Sequence, residues 1–534
     1  MQVYDTTLRD GAQREGVSYS VVDKLAVARL LDDFGVSFIE GGWPGALPKD
    51  TEFFRRARTE LNLKHALFVA FGATRKAHTA VDSDPQVRAL LDAETPVVTL
   101  VAKSDVRHVE RALRTTLEEN LAMVRDTVAF FVAEGRRVFL DCEHFFDGYL
   151  ADPRYASEVA ATAIAAGAEA AVLCDTNGGM LPSRVTKMVG GVSDRIAARL
   201  GISAEEVVAK LGIHCQNDTG CAVANTVAAV EAGVPHFQCT ANGYGERAGN
   251  ADLFAVVGNL QLKLGLPVLP DGCLDQMVRV SHAIAEIANI APDTHQAYVG
   301  SSSFAHKAGL HASAIKVDPL LYNHVEPEVV GNDMRILVTE MAGRASVELK
   351  SRELGIDLGA HPEALSNVTA KVKEMEAAGW SFEAADASFE LLVRAELNGG
   401  LTRPFALESY RVIVEHREDG SVVSEATVKV RVRGERVIAT AEGNGPVNAL
   451  DEALRVALVK HYPEIATFEL ADYKVRILEG SHGTRAVTRV LLETAGKDGD
   501  WTTVGVHENV VEASWRALVD ALSYGLARQG LPAA

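Results

Sequence analysis

Between residues 2 and 265 the chain alternates, eight times over, a short apolar run with a longer segment whose apolar residues recur every third or fourth position. The short runs predict buried strands: Gln2–Leu8, Ser37–Glu40, Ala66–Phe71, Val97–Val101, Arg137–Cys142, Ala170–Cys174, Leu211–Cys215 and His236–Ala241. The segments between them predict helices, among them Ser20–Phe34, Val109–Ala133, Ala156–Ala166, Ala222–Ala232 and Ala251–Leu264. Gly35, Gly135, Gly167 and Gly233 follow such helices, where a left-handed residue ends the turn. Eight βα units in this length predict a (β/α)8 TIM barrel. A doubly wound sheet is the alternative, but no glycine-rich dinucleotide turn follows the first strand. Gly190–Lys210 reads as an elaboration of the sixth unit.

Polar residues gather where the strands end: Arg9/Asp10, Glu40, Lys103/Ser104, Asp141/Glu143, Asp175/Thr176/Asn177, His214/Gln216/Asn217/Asp218 and Asn242/Glu246/Arg247/Asn250. In a barrel those ends converge on one face. One such residue has an easy structural explanation; seven clusters in the same topological position point to an active site there. Asp10 and His214, on neighbouring parts of the barrel, with Gln216 and Asn250 beside them, make a candidate metal site of mixed oxygen and nitrogen ligands. A divalent metal next to an arginine suits a 2-oxo acid, whose carbonyl the metal polarises and whose developing charge Arg9 meets. Glu143 is a candidate acid or base, and His311 another if the linker folds over the barrel mouth.

Beyond the barrel, Pro267, Pro270 and Gly272 mark a boundary. The expected division is a catalytic barrel at 1–268, a helical linker covering the active site at 269–385, and a regulatory domain at 386–534. Alternating patterns at Phe389–Arg394, Tyr410–Glu415, Ala426–Val432 and Arg436–Ala441 predict antiparallel strands, closed by a helix at Val447–Leu458. Strands near Tyr473–Leu478, Ala486–Thr494 and Trp501–Val506 and a helix at Val511–Leu522 repeat the order. The two helices align Ala449 with Ala513, Ala453 with Ala517, Leu454 with Leu518 and Leu458 with Leu522, which suggests a duplicated βββα unit in an α+β domain.

Of the 534 residues, 47% are hydrophobic and 23% charged, ordinary for a globular enzyme. The formal charge of −19 disfavours nucleic acid and anionic membrane as partners. No apolar stretch is long enough to span a bilayer, and the first residues do not resemble a secretory leader. The six cysteines lack CxxC spacing and read as buried reduced thiols, so a cytoplasmic location is expected.

Five motifs, in order, are similar to one family: Asp5–Gln13 (DTTLRDGAQ), Leu173–Gly179 (LCDTNGG), His214–Gly220 (HCQNDTG), Asn242–Asn250 (NGYGERAGN) and Ala308–Ser313 (AGLHAS). The chain resembles the Claisen-condensing metal enzymes that comprise the 2-isopropylmalate, homocitrate and citramalate synthases, along essentially its whole length. The runs Ile39–Phe53, Glu143–Tyr149 and Val330–Asn332 resemble the citramalate synthase branch. That resemblance implies condensation of acetyl-CoA with pyruvate, thioester hydrolysis, and entry to a threonine-independent isoleucine route. It implies Asp10 and His214 as metal ligands, Arg9 orienting the oxo acid, Thr176 and Gln13 holding substrate, and Glu143 assisting enolisation. It further implies His311 and Tyr322 completing the site across a homodimer, with isoleucine inhibiting through the C-terminal pair. Where the family has H-x-H after the seventh strand, this chain has His214-Cys215-Gln216. An amide oxygen there favours Mn2+ or Mg2+ over Zn2+ or Co2+. A water or Asn250 in its place is the alternative. Three other readings stay open: a 2-isopropylmalate synthase using 2-oxoisovalerate, a lyase, and a non-catalytic amino-acid sensor. The C-terminal pair counts against the lyase, and intact Arg9, Asp10, His214 and Glu143 count against the sensor. For the CoA phosphates, Lys103 and Arg247 are the candidate cations.

Overall fold

The computed structural model describes residues 1–339, 341–400, 403–478, 486–497 and 499–530. It divides into two compact units, Met1–Phe304 with Val325–Asp333, and Ala305–His324 with Met334–Ala534.

The first unit is a closed barrel of eight parallel strands. They are β1 (Gln2–Asp5), β2 (Phe38–Glu40), β3 (Leu67–Ala73), β4 (Val97–Lys103), β5 (Arg137–Glu143), β6 (Ala170–Asp175), β7 (Leu211–Cys215) and β8 (His236–Cys239). β1 closes the ring by lying parallel to both β2 and β8, with Asp5 in register with Ile39 and Cys239. Side chains alternate between lumen and helix shell, as the two-residue strand period requires. The lumen is plugged at its amino end by Tyr4, Phe38, Val69, Val97, Phe139 and Ala170. His236 packs among these rings, 4.6 Å from Phe139 and 5.3 Å from Tyr4 between ring centroids. That floor leaves the carboxyl end as the open end of the lumen. The shell helices begin and end as their sequences direct. The helix Val21–Phe34 starts on a reciprocal Ser20–Asp23 capping box and ends at Gly35, with φ 89°. Gly135, Gly167 and Gly233 also adopt the expected positive φ.

Several barrel elements depart from the predicted spans; the helix predicted at Ala251–Leu264, for one, is an α-helix over Leu253–Gly258 followed by a π turn at Asn259–Lys263. β1 stops at Asp5 instead of Leu8. The Asp5 carboxylate accepts the Thr7 backbone N–H and hydroxyl, each at 2.9 Å, and the Thr6 carbonyl accepts the N–H groups of Arg9, Asp10 and Gly11. This side-chain-to-backbone turn outcompetes continued pairing. The predicted helix Val109–Ala133 is broken. A π turn covers Val109–Leu113, Arg114 is left-handed at φ 55°, and a new helix, Leu117–Ala133, begins where the Thr116 hydroxyl accepts the Glu119 N–H. A threonine cap starts the helix there regardless of the apolar period that runs through it.

The second unit carries two three-stranded antiparallel sheets, each followed by a helix. In the first, Ser424, Ala426, Val428, Val430 and Val432 of the central strand, Val422–Val432, are buried, and the helix Pro446–Leu458 contacts that strand and its neighbour. In the second, Thr488, Val490, Leu492 and Thr494 are the buried face, and the helix Val510–Arg528 contacts that strand and Trp501–His507. Ala449, Ala453, Leu454 and Leu458 are buried, as are their aligned partners Ala513, Ala517, Leu518 and Leu522. The predicted strand at Phe389–Arg394 is instead part of a helix, Asp386–Leu397. Its Phe-Glu-Leu-Leu-Val-Arg run is too short for periodicity to separate the two states, and Ala, Glu, Leu and Arg around it favour helix.

All six cysteines are free, five of them buried. Among the described residues no helix is long and apolar enough to cross a membrane.

Candidate active site

The turn that ends β1 throws Arg9 and Asp10 to the open end of the barrel. A cavity of about 770 Å³ lies there, lined by Arg9, Asp10, Gln13, Glu143, Thr176, His214 and Gln216 among others. These come from the ends of β1, β5, β6 and β7, so the barrel brings together residues up to 207 positions apart in sequence. Asn250 is buried and does not line the cavity, but it forms an isolated bridge with Gln216. His311 and Tyr322 belong to the second unit, where their rings stack at 4.0 Å and 26°.

Arg9 is held on three sides. Its Nε donates to Glu40 Oε1 at 2.5 Å, Nη1 lies 3.5 Å from Asp10 Oδ1, and the guanidinium sits 3.9 Å above the Phe71 ring centroid. Glu40 also accepts the Tyr4 hydroxyl, at 2.5 Å. Burial works against the charge on Arg9, but Glu40 and Asp10 more than offset it and raise the pKa. Burial likewise works against the charge on Asp10. Arg9 and the hydrogen bond to His214 win, and its carboxyl stays well below the usual carboxylate range. Asp141 accepts a hydrogen bond from the neutral Gln238 amide, and burial with the Glu40 charge nearby pushes it up to about 7.

Asp10 Oδ2, His214 Nε2 and Gln216 Nε2 form a triangle with edges of 3.2, 3.2 and 3.5 Å. His214 Nδ1 faces Gln238 Oε1 at 2.8 Å, and Gln238 Nε2 donates to Asp141 Oδ1 at 2.8 Å. Gln216 Oε1 and Asn250 Oδ1 are buried with no hydrogen-bond partner. An orphaned buried acceptor is costly. Two of them beside a carboxylate and an imidazole form a set of donors suited to a hard divalent cation. A half-turn of the Gln216 amide places Oε1 where Nε2 stands, on the Asp10–His214 edge. Ligand spacings of about 3 Å are those of one face of an octahedron with bonds of about 2.1 Å. No cluster of three or more His, Cys, Asp or Glu side chains among the described residues could hold a metal. Asp10 and His214 alone supply two ligands, and the two amide oxygens are the protein groups beside them that could add to the set.

The remaining polar groups are also pinned. Thr176 Oγ1 accepts the His144 N–H at 2.8 Å. Lys103 Nζ pairs with Glu143 Oε2. Arg247 donates to Asp218 at 2.8 Å and to the Thr176 carbonyl at 2.8 Å. Gln238 escaped the strand-end reading because it lies inside β8. The available signal was its alternation with His236 and Thr240 on one face of that strand.

The fold and the cavity are those of a (β/α)8 enzyme whose chemistry sits on the carboxyl ends of its strands. A family model described as HMGL-like matches residues 1–284, and the chain belongs to that family. Residues 298–379 match the homocitrate synthase post-HMGL domain-like model, and residues 383–526 the LeuA allosteric (dimerisation) domain. The chain is 64% identical to the (R)-citramalate synthase of Streptomyces coelicolor, over 99% of this chain and 97% of that one. It is 48% identical to the (R)-citramalate synthase of Synechocystis, over 98% and 96%. It is 29% identical to the 2-isopropylmalate synthase of Methanocaldococcus jannaschii, over 99% and 95%.

Proposed function

We infer that this chain works as an (R)-citramalate synthase, an acyltransferase that joins the methyl carbon of acetyl-CoA to C2 of pyruvate and hydrolyses the thioester to release CoA. The reading is carried by the convergence of Arg9, the Asp10–His214–Gln216 triangle and Glu143 on one cavity. Full-length similarity to (R)-citramalate synthases supports it, at an identity well above that to the 2-isopropylmalate synthase.

Arg9, fixed by Glu40 and Phe71, meets the charge that develops on the oxo-acid oxygen as the carbon–carbon bond forms. Thr176, already accepting the His144 N–H, keeps its own hydroxyl proton to donate to the pyruvate carboxylate. Gln13, which also lines the cavity, adds a neutral donor. Glu143 takes a proton from the acetyl methyl group. Asp10, His214 and the amide oxygens of Gln216 and Asn250 would hold a divalent cation, with Mn2+ or Mg2+ suiting the oxygen-rich set better than Zn2+ or Co2+. When bound, that cation supplies Lewis-acid polarisation of the oxo-acid carbonyl.

His311 and Tyr322 are proposed to act in catalysis from a partner copy in a homodimer. The repeated βββα pair is proposed as the receptor for isoleucine, the end product of the threonine-independent route that this reaction would open. The LeuA-type match over residues 383–526 supports both the dimer and the regulation. A cytoplasmic location and the three-part division at 1–268, 269–385 and 386–534 belong to the same proposal. The test is product analysis. Incubated with labelled pyruvate, acetyl-CoA and Mn2+, the protein should yield (R)-citramalate by chiral chromatography. No labelled citramalate, or label held in an unhydrolysed citramalyl thioester, would refute the reading.

A further inference from the structure

We propose that Lys103 is a further catalytic residue, its ammonium carrying the negative charge that appears on the thioester oxygen when Glu143 removes a methyl proton. The proposal rests on the reading of Glu143 as the base. Val101, Ala102 and Lys103 line the cavity, while Leu100, the residue before them, is buried in the core. β4 and β5 run in register, with Val101 beside Asp141 and Lys103 beside Glu143. The two side chains are the last pair on these strands, and they meet as an ion pair through Nζ and Oε2. The backbone at this rim is fixed: the Lys103 carbonyl accepts the Asn120 Nδ2–H at 3.0 Å, and the Ser104 N–H donates to the Glu143 carbonyl at 3.0 Å.

The reaction needs two sites of anionic stabilisation. Arg9 and the Asp10 corner serve the oxo acid. The thioester oxygen needs its own cation near the base. Of the other cations that line the cavity, Arg9 is taken by Glu40 and Asp10, Arg75 by Glu119 and Asp126, and Arg247 by Asp218, while Lys76 follows Arg75 in the loop after β3. Lys103 is the cation placed directly on Glu143. In the step, a methyl C–H bond breaks, the proton forms an O–H bond on Glu143, and the electron pair moves through the new C=C to the thioester oxygen. Glu143 becomes neutral as that oxygen becomes negative. Lys103 therefore exchanges one counter-anion for another, and the charge moves a short distance past a fixed ammonium, an arrangement that favours the transition state over the ground state. The pair is also partly open to solvent, with side chains 23% and 27% exposed, so it contributes little to folding and its removal should leave the barrel intact.

The test compares wild type, Lys103→Met and Lys103→Arg in kcat, in KM for acetyl-CoA and for acetyl-pantetheine, which lacks the nucleotide, and in the isotope effect with trideuteroacetyl-CoA. Lys103→Met should lower kcat about 100-fold, the loss typical of one oxyanion donor. KM for acetyl-CoA should move by less than about 3-fold, as expected for an interaction confined to the transition state. The same loss should appear with acetyl-pantetheine, the isotope effect on kcat should rise, and Lys103→Arg should recover part of the rate. Unchanged kcat in Lys103→Met, or a loss confined to KM that vanishes with acetyl-pantetheine, would overturn the proposal; the second outcome would make Lys103 an anchor for the CoA phosphates. Failure of the wild type to release thiol from acetyl-CoA with pyruvate would instead overturn the underlying functional reading.

Discussion

His214 Nε2 stands 3.2 Å from Asp10 Oδ2, both buried, with the other ring nitrogen turned to Gln238 Oε1. With a proton on Nδ1, neutral His214 offers a lone pair to a carboxylate oxygen. Only a positive charge makes that pairing favourable, either a proton on the ring or a cation between the two. Acid partners raise the His214 pKa although burial opposes it. The same geometry, with two orphaned amide oxygens beside it, predicts that Mn2+ binds here. By titration calorimetry, wild type should bind one Mn2+ per chain and Asp10→Ala should bind none. Gln216→His should bind more tightly, by about 10-fold or more, as an imidazole replaces a neutral amide. Equal affinity in wild type and Asp10→Ala would place the metal elsewhere.

Gln238 touches His214 and Asp141 and holds the first by its tautomer. Gln238→Leu should weaken Mn2+ affinity by about 10–100-fold with the fold intact, the usual effect of losing a group that orients a ligand. An unchanged Mn2+ affinity in this variant would show that His214 is oriented by the strand alone.

Arg9→Lys keeps a charge but loses the planar donor that Glu40 holds over Phe71. We expect kcat to fall by about 100-fold or more, with KM for pyruvate rising as well. Activity within a few-fold of wild type would remove Arg9 from the role assigned to it.

His236 supplies a pH test at the other end of the barrel. Burial among Tyr4, Phe38 and Phe139 drives its pKa down to about 3. The unfolded chain takes up this proton near pH 6.5, the folded one only near 3. Stability from this group is thus complete above about 6.5 and declines as pH falls toward 3, by at most about 1.4 kcal/mol per pH unit. His236→Phe should flatten that part of the acid limb in thermal melts. An identical acid limb in both proteins would contradict a neutral buried His236.

The barrel was legible because eight strand–helix alternations admit few closures, and polar residues at strand ends then fall together without further information. Arg9, Asp10, Glu143, Thr176, His214 and Gln216 meet in one cavity for that reason. What periodicity misplaced was local: the end of β1, where Asp5 folds back on Thr7, and the start of the helix at Leu117, where Thr116 caps it. At Asp386–Leu397 the pattern alone was ambiguous between states. Gln238 and the Lys103–Glu143 pair needed the three-dimensional register, because neighbours across strands are remote in the chain.

The most direct measurement is thiol release by the full chain from acetyl-CoA with Mn2+, comparing pyruvate, 2-oxobutyrate, 2-oxoisovalerate and 2-oxoglutarate, with and without isoleucine. Pyruvate should give the highest kcat/KM, abolished in Asp10→Ala and reduced by isoleucine. Preference for 2-oxoisovalerate, or no release with any of the four acids while Mn2+ is bound, would contradict the citramalate synthase reading.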